Sequence, residues 1–275
     1  MIEQNSTYVV MGLLDPDSIA FAIGRAIEKW GGKVIYTMQS ERMQRIFLGR
    51  SKKLSDEGKA ALDVRFCDVT VDGEVKALFE STGTNAGVEP TIAYANPKTC
   101  LGENFHTDAI DDLKTGFHIS CVSLATVVRH AQAAMPNGGA VVAMTFDSQN
   151  AFPYYNWMGV NKAALESAVR GLARHHGKDL IRVNAVSAGP LQTKAATNIP
   201  GFNELADTWN QCSPLPWDTE NDKHEVANAV AFLLGPYAKK ITGQTVHVDG
   251  GASVIGGHLL PHERAAAEPA AAPAR

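Results

Sequence analysis

Apolar and polar positions change their period twice within the first forty residues. The run STYVVMG (6–12) is almost continuously apolar, which predicts a buried strand that ends at Gly12. From residue 18 the apolar residues recur at helical spacing, with Ser18 or Asp17 as the N-cap and Gly31-Gly32 as the stop. The next run, KVIYTMQ (33–39), again predicts a strand. Strand, helix and strand in this order predict a βαβ unit.

The rest of the chain continues this alternation. Apolar runs predict further strands at residues 64–69, 89–95, 138–146, 181–187 and 244–250, and helical spacing appears over 108–134 and from Tyr155 to about His176. Strands that alternate with helices predict an α/β fold, here a single-domain, Rossmann-type, doubly wound parallel sheet. We expect this domain to span residues 1–257, and the alanine- and proline-rich residues 258–275 to form a disordered tail.

Composition limits the class of protein. The chain has 275 residues, 45% of them hydrophobic, and a net charge of −4, which gives no reason to expect nucleic acid or an anionic membrane as a partner. No stretch reaches the length of a membrane span, and the first ten residues lack the basic start of a signal peptide. The four cysteines are scattered without metal-ligand spacing, so we expect reduced thiols in the cytoplasm and no metal site.

Candidate chemistry begins with Tyr155 and Lys162, which stand seven residues apart at the start of an amphipathic run. On a helix, seven residues return almost to the same face about 10.5 Å further along the axis. A phenol can donate a hydrogen bond to a carbonyl oxygen as charge develops there, and an ammonium can hold a ribose. Because such pairs are common by chance, the spacing alone is weak evidence.

The turn between the first strand and helix is a second candidate. A helix N-terminus at this place can receive a pyrophosphate. The glycine-rich G-x-G-x-x-G pattern is absent; Gly12 is followed six residues later by Ser18. On spacing alone, a phosphate site and an ordinary strand–helix turn stay equally open.

Together the motifs resemble the enoyl-acyl-carrier-protein reductases, a divergent branch of the short-chain dehydrogenases/reductases. The resemblance covers about residues 6–256 and is carried by Gly12 with Ser18-Ile19-Ala20, YNWMGVNK (155–162), RVNAVSAGPLQT (182–193), and Gly243 with Asp249-Gly250-Gly251. The commoner short-chain dehydrogenases use Tyr-x3-Lys, which would require a tyrosine where Met158 stands.

The resemblance implies reduction of the trans-2 double bond of an enoyl thioester on acyl carrier protein, with NADH, by a homotetramer acting in fatty-acid elongation. It assigns the oxyanion donor to Tyr155 and the ribose contact to Lys162. It places the following residues at the cofactor: Gly12, Ser18, Ile19, Gln39, Asp68, Val69, Tyr94, Ala95, Lys162, Ala188, Gly189, Pro190, Leu191 and Thr193. The expected substrate pocket contains Asn96, Phe146, Tyr155, Met158 and Ala195, beside a substrate-binding loop at about residues 194–216.

The strand ends favour NADH over NADPH. An acidic residue after the second strand commonly binds the adenosine ribose of NAD, whereas basic residues accept a 2′-phosphate. Neutral Gln39 stands there without a basic cluster. Asp68 matches the family's position at the adenine, although a helix N-cap after the third strand explains it equally well.

One segment departs from the family. Members usually show His-Ser-Ile-Gly after the fourth strand, where this chain has Ala93-Tyr94-Ala95-Asn96-Pro97. Asn96 replaces the family's glycine, and the change is either drift in a loop or a reshaped acyl pocket. The second possibility keeps open an enzyme that acts on another enoyl thioester in secondary metabolism. A non-catalytic nucleotide-binding paralogue is disfavoured by the intact Tyr155 and Lys162.

Overall fold

The computed structural model describes residues 1–259, which form one seven-stranded sheet between two layers of helices. The strand order is β3-β2-β1-β4-β5-β6-β7, and every pairing is parallel. The strands are β1 (Thr7–Met11), β2 (Lys33–Met38), β3 (Asp63–Phe66), β4 (Asn85–Pro90), β5 (Gly139–Thr145), β6 (Ile181–Ala188) and β7 (Thr245–Val248). The predicted Rossmann-type α/β fold is confirmed.

Helices cover both faces of the sheet, as parallel strands require. α1 packs on α9 at one face, and α4, α6 and α7 cover the other. The helices are α1 (Ile19–Lys29), α2 (Glu41–Ile46), α3 (Asp56–Ala60), α4 (Asp72–Thr82), α5 (Ile110–Phe117), α6 (Ser123–Ala134), α7 (Asn156–His176), α8 (Phe202–Cys212) and α9 (Lys223–Leu234). No helix within residues 1–259 is long and apolar enough to cross a lipid bilayer.

Alternation along β1 divides the core between the two faces. Val9 and Val10 are both fully buried, yet they belong to opposite core layers because successive side chains on a strand point in opposite directions. A strand buried on both faces has no polar side, which explains why the first strand appeared in the sequence as an unbroken apolar run.

The fourth strand is present but lies earlier in the chain than the predicted residues 89–95. β4 spans Asn85–Pro90, and its last pairing is between Pro90 and Met11. Thr91 still donates its amide to the Met11 carbonyl at 3.1 Å, after which the chain leaves the sheet. The apolar residues that follow therefore border the cleft at the end of the sheet and do not extend it.

The predicted helical run at 108–134 contains an irregularity. α5 and α6 are joined by a π-helical turn at His118–Val122, where one extra residue enters the helix. Ser120 and Cys121 in this turn are buried. The boundary between the domain and its tail stays a prediction, because all but two residues of 258–275 lie outside the described chain.

Candidate active site

Tyr155 immediately precedes α7 and is held in place by the backbone on both sides. The neighbouring Tyr154 and Asn156 have positive φ angles of 64° and 31°, a region that costs energy for non-glycine residues. Tyr154 O accepts a hydrogen bond from Gly102 N at 2.9 Å, and Asn156 Nδ2 donates to Gly102 O at 2.6 Å. The start of α7 is therefore fixed to a segment more than fifty residues away in sequence.

The phenol of Tyr155 lies in an aromatic cluster, defined here as Phe146, Phe152, Tyr155 and Trp209. The Phe146 ring lies 4.9 Å from Tyr155, 4.8 Å from Phe152 and 5.4 Å from Trp209. Burial raises the pKa of Tyr155, so its hydroxyl keeps its proton at neutral pH. Among the described residues the hydroxyl has no hydrogen-bond partner, which leaves its proton free to be donated to a ligand.

Lys162 lies within α7 and is also buried. Its Nζ donates a hydrogen bond to the carbonyl of Met144 on β5 at 2.9 Å. Burial lowers the pKa of Lys162 to about 8, and the nearby Glu166 acts in the opposite direction. The ammonium still carries its charge at neutral pH, but with a small margin.

The turn after β1 has the geometry of a phosphate site. Gly12 has φ +89°, and a Cβ built there would lie 2.1 Å from the carbonyl oxygen of Thr91. Only glycine fits this approach. Ser18 caps α1 by accepting a hydrogen bond from Phe21 N at 3.3 Å, so the amides of Ile19 and Ala20 have no partner inside the helix. Free amides at a helix N-terminus suit an anion such as a pyrophosphate.

The ends of β2 and β3 are joined by side chains. Gln39 Nε2 donates a hydrogen bond to Asp68 Oδ2 at 2.8 Å. Asp68 Oδ1 accepts from the amide and hydroxyl of Thr70. Although partial burial would raise the pKa of Asp68, these hydrogen bonds outweigh it and lower the pKa. The alternative interpretation of Asp68 as a helix N-cap is wrong, because the N-cap of α4 is Val71. Val69 is buried in the core layer that contains Val9 and Val75.

The segment after β6 is held by a tryptophan that the sequence analysis missed. Ala188, Gly189, Pro190 and Leu191 are all buried. Trp217 Nε1 donates to the carbonyl of Pro190 at 2.8 Å, and a Cβ on Gly189 would lie 2.6 Å from the Trp217 ring. The backbone of this segment is thereby clamped at the carboxyl end of the sheet.

Thr193 lies where the substrate-binding loop meets the β1–α1 turn. It borders a cavity together with Pro16 and Asp17, and its Oγ1 accepts a hydrogen bond from Ala196 N at 3.1 Å. Ala195 is exposed in this turn, whereas Met158 is buried in the same core layer as Tyr155.

The corrected end of β4 changes the interpretation of residues 93–97. Thr91 and not Asn96 lies directly after the strand, against Gly12. Tyr94 is exposed at the side chain, and its backbone N and O are both hydrogen-bonded to Ser120 Oγ at 2.9 Å. Asn96 Nδ2 donates to Asp112 Oδ2 at 2.9 Å. These bonds favour a loop-holding role for Asn96, and its assignment to the pocket stays a prediction.

The predicted substrate-binding loop at residues 194–216 contains α8, which contributes Trp209 to the aromatic cluster. Trp209 Nε1 donates to the carbonyl of Asp249 at 2.9 Å, and Leu205 is buried beside it. A cavity of about 370 Å³ opens here, bordered by Phe152, Tyr154, Leu205 and Trp209. Two tryptophans within a short polar segment were the signal that could have identified Trp209 and Trp217 in advance.

Known proteins resemble this chain over nearly its whole length. A model of the family described as Enoyl-(Acyl carrier protein) reductase matches residues 12–253. Enoyl-(acyl-carrier-protein) reductase (NADH) FabI of Bacillus cereus is 37% identical over 264 residues, which cover 92% of this chain and 98% of that protein. The corresponding NADPH enzyme of Staphylococcus aureus strain MRSA252 is 35% identical, with coverage of 92% and 98%.

Solved structures agree in fold. The Bacillus cereus enoyl-acyl carrier protein reductase with NADP+ and indole naphthyridinone has a TM-score of 0.83 at 36% identity and covers 92% of this chain and 98% of its own. The reductase of Anaplasma phagocytophilum in complex with NAD has a TM-score of 0.83 at 30% identity, with coverage of 95% and 96%.

Proposed function

The chain belongs to the enoyl-(acyl carrier protein) reductase family, and on that premise we propose that it reduces the trans-2 double bond of an enoyl thioester on acyl carrier protein in fatty-acid elongation. The observation that carries the proposal is the buried and protonated Tyr155 phenol, which has no hydrogen-bond partner among residues 1–259 and directly precedes the helix that carries the buried Lys162. The cavity beside the aromatic cluster offers a place for an apolar acyl chain.

Tyr155 supplies the electrophilic group. Reduction places negative charge on the thioester oxygen, and a preorganised donor is most effective where charge develops. Because burial raises the pKa of the phenol, Tyr155 donates a hydrogen bond without losing its proton beforehand. The aromatic cluster excludes water from this hydrogen bond, which strengthens it.

The described residues fit a dinucleotide. Bound NADH supplies the hydride. Gly12 lets the chain turn closely past the Thr91 carbonyl before α1, and the free amides of Ile19 and Ala20 at the start of that helix would receive the phosphates. Lys162 holds the ribose near the reacting end, and Gln39 with Asp68 occupies the adenosine end.

NADH is the preferred cofactor. The ionised carboxylate of Asp68 is held against Gln39 at the place where a 2′-phosphate would sit in an NADPH enzyme. No basic side chain contributes to this pair. The relatives differ in cofactor: the Bacillus cereus enzyme is named for NADH and the Staphylococcus aureus enzyme for NADPH.

The quaternary structure and location belong to the same proposal. A homotetramer is supported by exposed apolar side chains near the described C-terminal end, with Val254 80% exposed and Leu215 68% exposed. A cytoplasmic location is supported by four cysteines that are all free.

The decisive experiment follows NADH consumption with crotonyl-acyl carrier protein and, separately, with crotonyl-CoA. We expect turnover with both and a higher kcat/KM for the carrier-protein substrate. Turnover with CoA thioesters alone would favour the secondary-metabolism alternative. Absence of NADH consumption by a protein that still binds NADH would support the non-catalytic paralogue and refute the proposal.

A further inference from the structure

A third ionisable side chain, Glu166, is buried on α7 one turn beyond Lys162. The two residues are four apart, so their side chains lie on the same helix face. Glu166 is 7% exposed and Lys162 5% exposed. A carboxylate is rarely buried without strong partners, because removing the charge from water is costly.

Glu166 has two such partners. Its Oε1 accepts a hydrogen bond from the Thr145 hydroxyl at 2.9 Å, and its Oε2 accepts one from the Ser148 hydroxyl at 2.7 Å. Thr145 directly follows Met144, whose carbonyl accepts a hydrogen bond from the Lys162 ammonium. Lys162 and Glu166 thus bind adjacent residues at the end of β5.

These hydrogen bonds also fix the course of the backbone that leads from β5 toward Tyr155. Phe146, which contacts the Tyr155 ring, lies between the two hydroxyl residues that Glu166 holds. Ser148 lies in the loop that leads from β5 to α7. The carboxylate therefore fixes the strand end from which both Lys162 and the aromatic cluster are supported.

We propose that Glu166 is a positioning residue for the reductase site: its charge keeps Lys162 protonated, and its hydrogen bonds to Thr145 and Ser148 fix the cleft wall that Lys162 and Tyr155 share. This inference rests on the proposed function, since it assigns Glu166 a role in that same site.

The electrostatic environment of Lys162 is consistent with this role. Burial lowers the pKa of Lys162, and Glu166 opposes that effect more strongly than the Cys121 thiol in the π-helical turn. The neighbouring Tyr155 phenol stays neutral because burial raises its pKa. Glu166 is thus the principal negative charge acting on this ammonium.

The test measures NADH affinity by cofactor fluorescence from pH 6 to pH 10 in wild type and Glu166→Gln. Glutamine retains a hydrogen-bond acceptor and the shape of the side chain but removes the charge. In a plot of NADH affinity against pH, affinity should fall on the alkaline limb, where Lys162 loses its proton. We expect this limb to move about one pH unit toward acid in Glu166→Gln. An unmoved limb in a folded Glu166→Gln protein overturns the proposal.

Matched variants separate charge from structure. Thr145→Val removes one hydrogen bond but keeps the carboxylate, so we expect a lower Tm with the limb unchanged. Glu225→Gln removes an exposed carboxylate on α9 and should change neither. If Glu166→Gln does not fold, Glu166→Asp keeps the charge and must keep the limb; a shifted limb there contradicts the electrostatic role.

The readout is independent of turnover. If wild type fails to reduce any enoyl thioester but the alkaline limb of NADH affinity still shifts in Glu166→Gln, the proposed function is refuted and the effect of Glu166 on Lys162 is supported. If wild type is an active reductase and the limb does not shift, the inference alone is refuted.

Discussion

The ammonium of Lys194 lies 2.7 Å from the carboxylate of Asp15, whose side chain is only 3% exposed. Lys194 begins the substrate-binding loop, and Asp15 belongs to the β1–α1 turn. The same ammonium lies 5.4 Å from the centre of the Phe47 ring at the end of α2. One side chain thus connects three segments that border the cofactor cleft.

Replacement of Lys194 by methionine should loosen the substrate-binding loop. The change removes the ammonium from Asp15, which keeps its hydrogen bond from the Asp17 amide, while the apolar stem of the side chain remains. Because Lys194 is about half exposed, we expect a loss of only about 1 kcal/mol in the free energy of unfolding. Limited proteolysis within residues 194–216 should accelerate, and KM for the thioester should rise several-fold. Lys53→Met, which ends an exposed pair with Asp17, is the control and should leave proteolysis of the loop unchanged.

Tyr155→Phe should remove the oxyanion donor and preserve the ring packing. We expect kcat to fall about 10²–10³-fold, equivalent to roughly 2.7–4 kcal/mol, with NADH affinity unchanged. Steady-state kinetics and calorimetric NADH titration measure the two quantities. Tyr154→Phe is the matched control, since that residue borders the cavity without belonging to the aromatic cluster. Wild-type turnover in Tyr155→Phe would remove this residue from the mechanism.

Glu89 should make the stability of the fold depend on pH. Its carboxyl is fully buried on β4, where the Thr91 hydroxyl is its hydrogen-bond partner. Burial raises the pKa of Glu89 to about 8 from its ordinary value of 4.5. Between these values the native state retains a proton that the unfolded chain has lost. The contribution of Glu89 to the free energy of unfolding is therefore fully present below pH 4.5 and is lost as the pH rises toward 8.

Glu89→Gln removes this titration and tests it. We expect the variant to gain on the order of 3 kcal/mol relative to wild type as the pH rises from 5 to 8. Urea unfolding at several pH values gives the difference. Parallel pH curves for the two proteins would show that Glu89 does not retain its proton in the native state.

Cofactor preference should depend on the pair at the ends of β2 and β3. Wild type should show a higher kcat/KM with NADH than with NADPH, because Asp68 is ionised and Gln39 offers no positive charge. Gln39→Arg should raise kcat/KM for NADPH, since a guanidinium pairs with a 2′-phosphate. A wild-type preference for NADPH would contradict the assignment, and equal use of both cofactors by the variant would support it.

The strongest sequence patterns predicted the elements that matter most for the site. Continuous apolar runs identified β1, β2, β5 and β6, and of the two predicted N-cap residues of α1, Ser18 and Asp17, the structure has Ser18. The end of β4 was missed because the apolar residues after it cover the cleft. Pro90 was the available signal, since a proline cannot donate to the next strand and often ends a ladder.

The parts of the site that could not be predicted depend on contacts distant in sequence. Trp209 reaches a carbonyl 40 residues away, and Trp217 reaches one 27 residues away. The π-helical turn that buries Cys121 near Lys162 has no composition that distinguishes it from regular helix. Tyr155 and Lys162 were found because Tyr155 directly precedes the helix that carries Lys162, so their spacing is visible in the local sequence.

The tryptophans of the substrate-binding loop make its movement observable by light. Trp209 and Trp217 are both buried, with their indole N–H groups bonded to main-chain carbonyls at the sheet end. Indole emission shifts to longer wavelength in water. Movement of α8 away from the rest of the aromatic cluster would therefore shift the emission of Trp209, and no attached dye is needed. Trp209→Phe would remove that signal and keep an aromatic ring in place. Stopped-flow emission could then time the closure of the loop against hydride transfer, within one turnover and on unmodified enzyme.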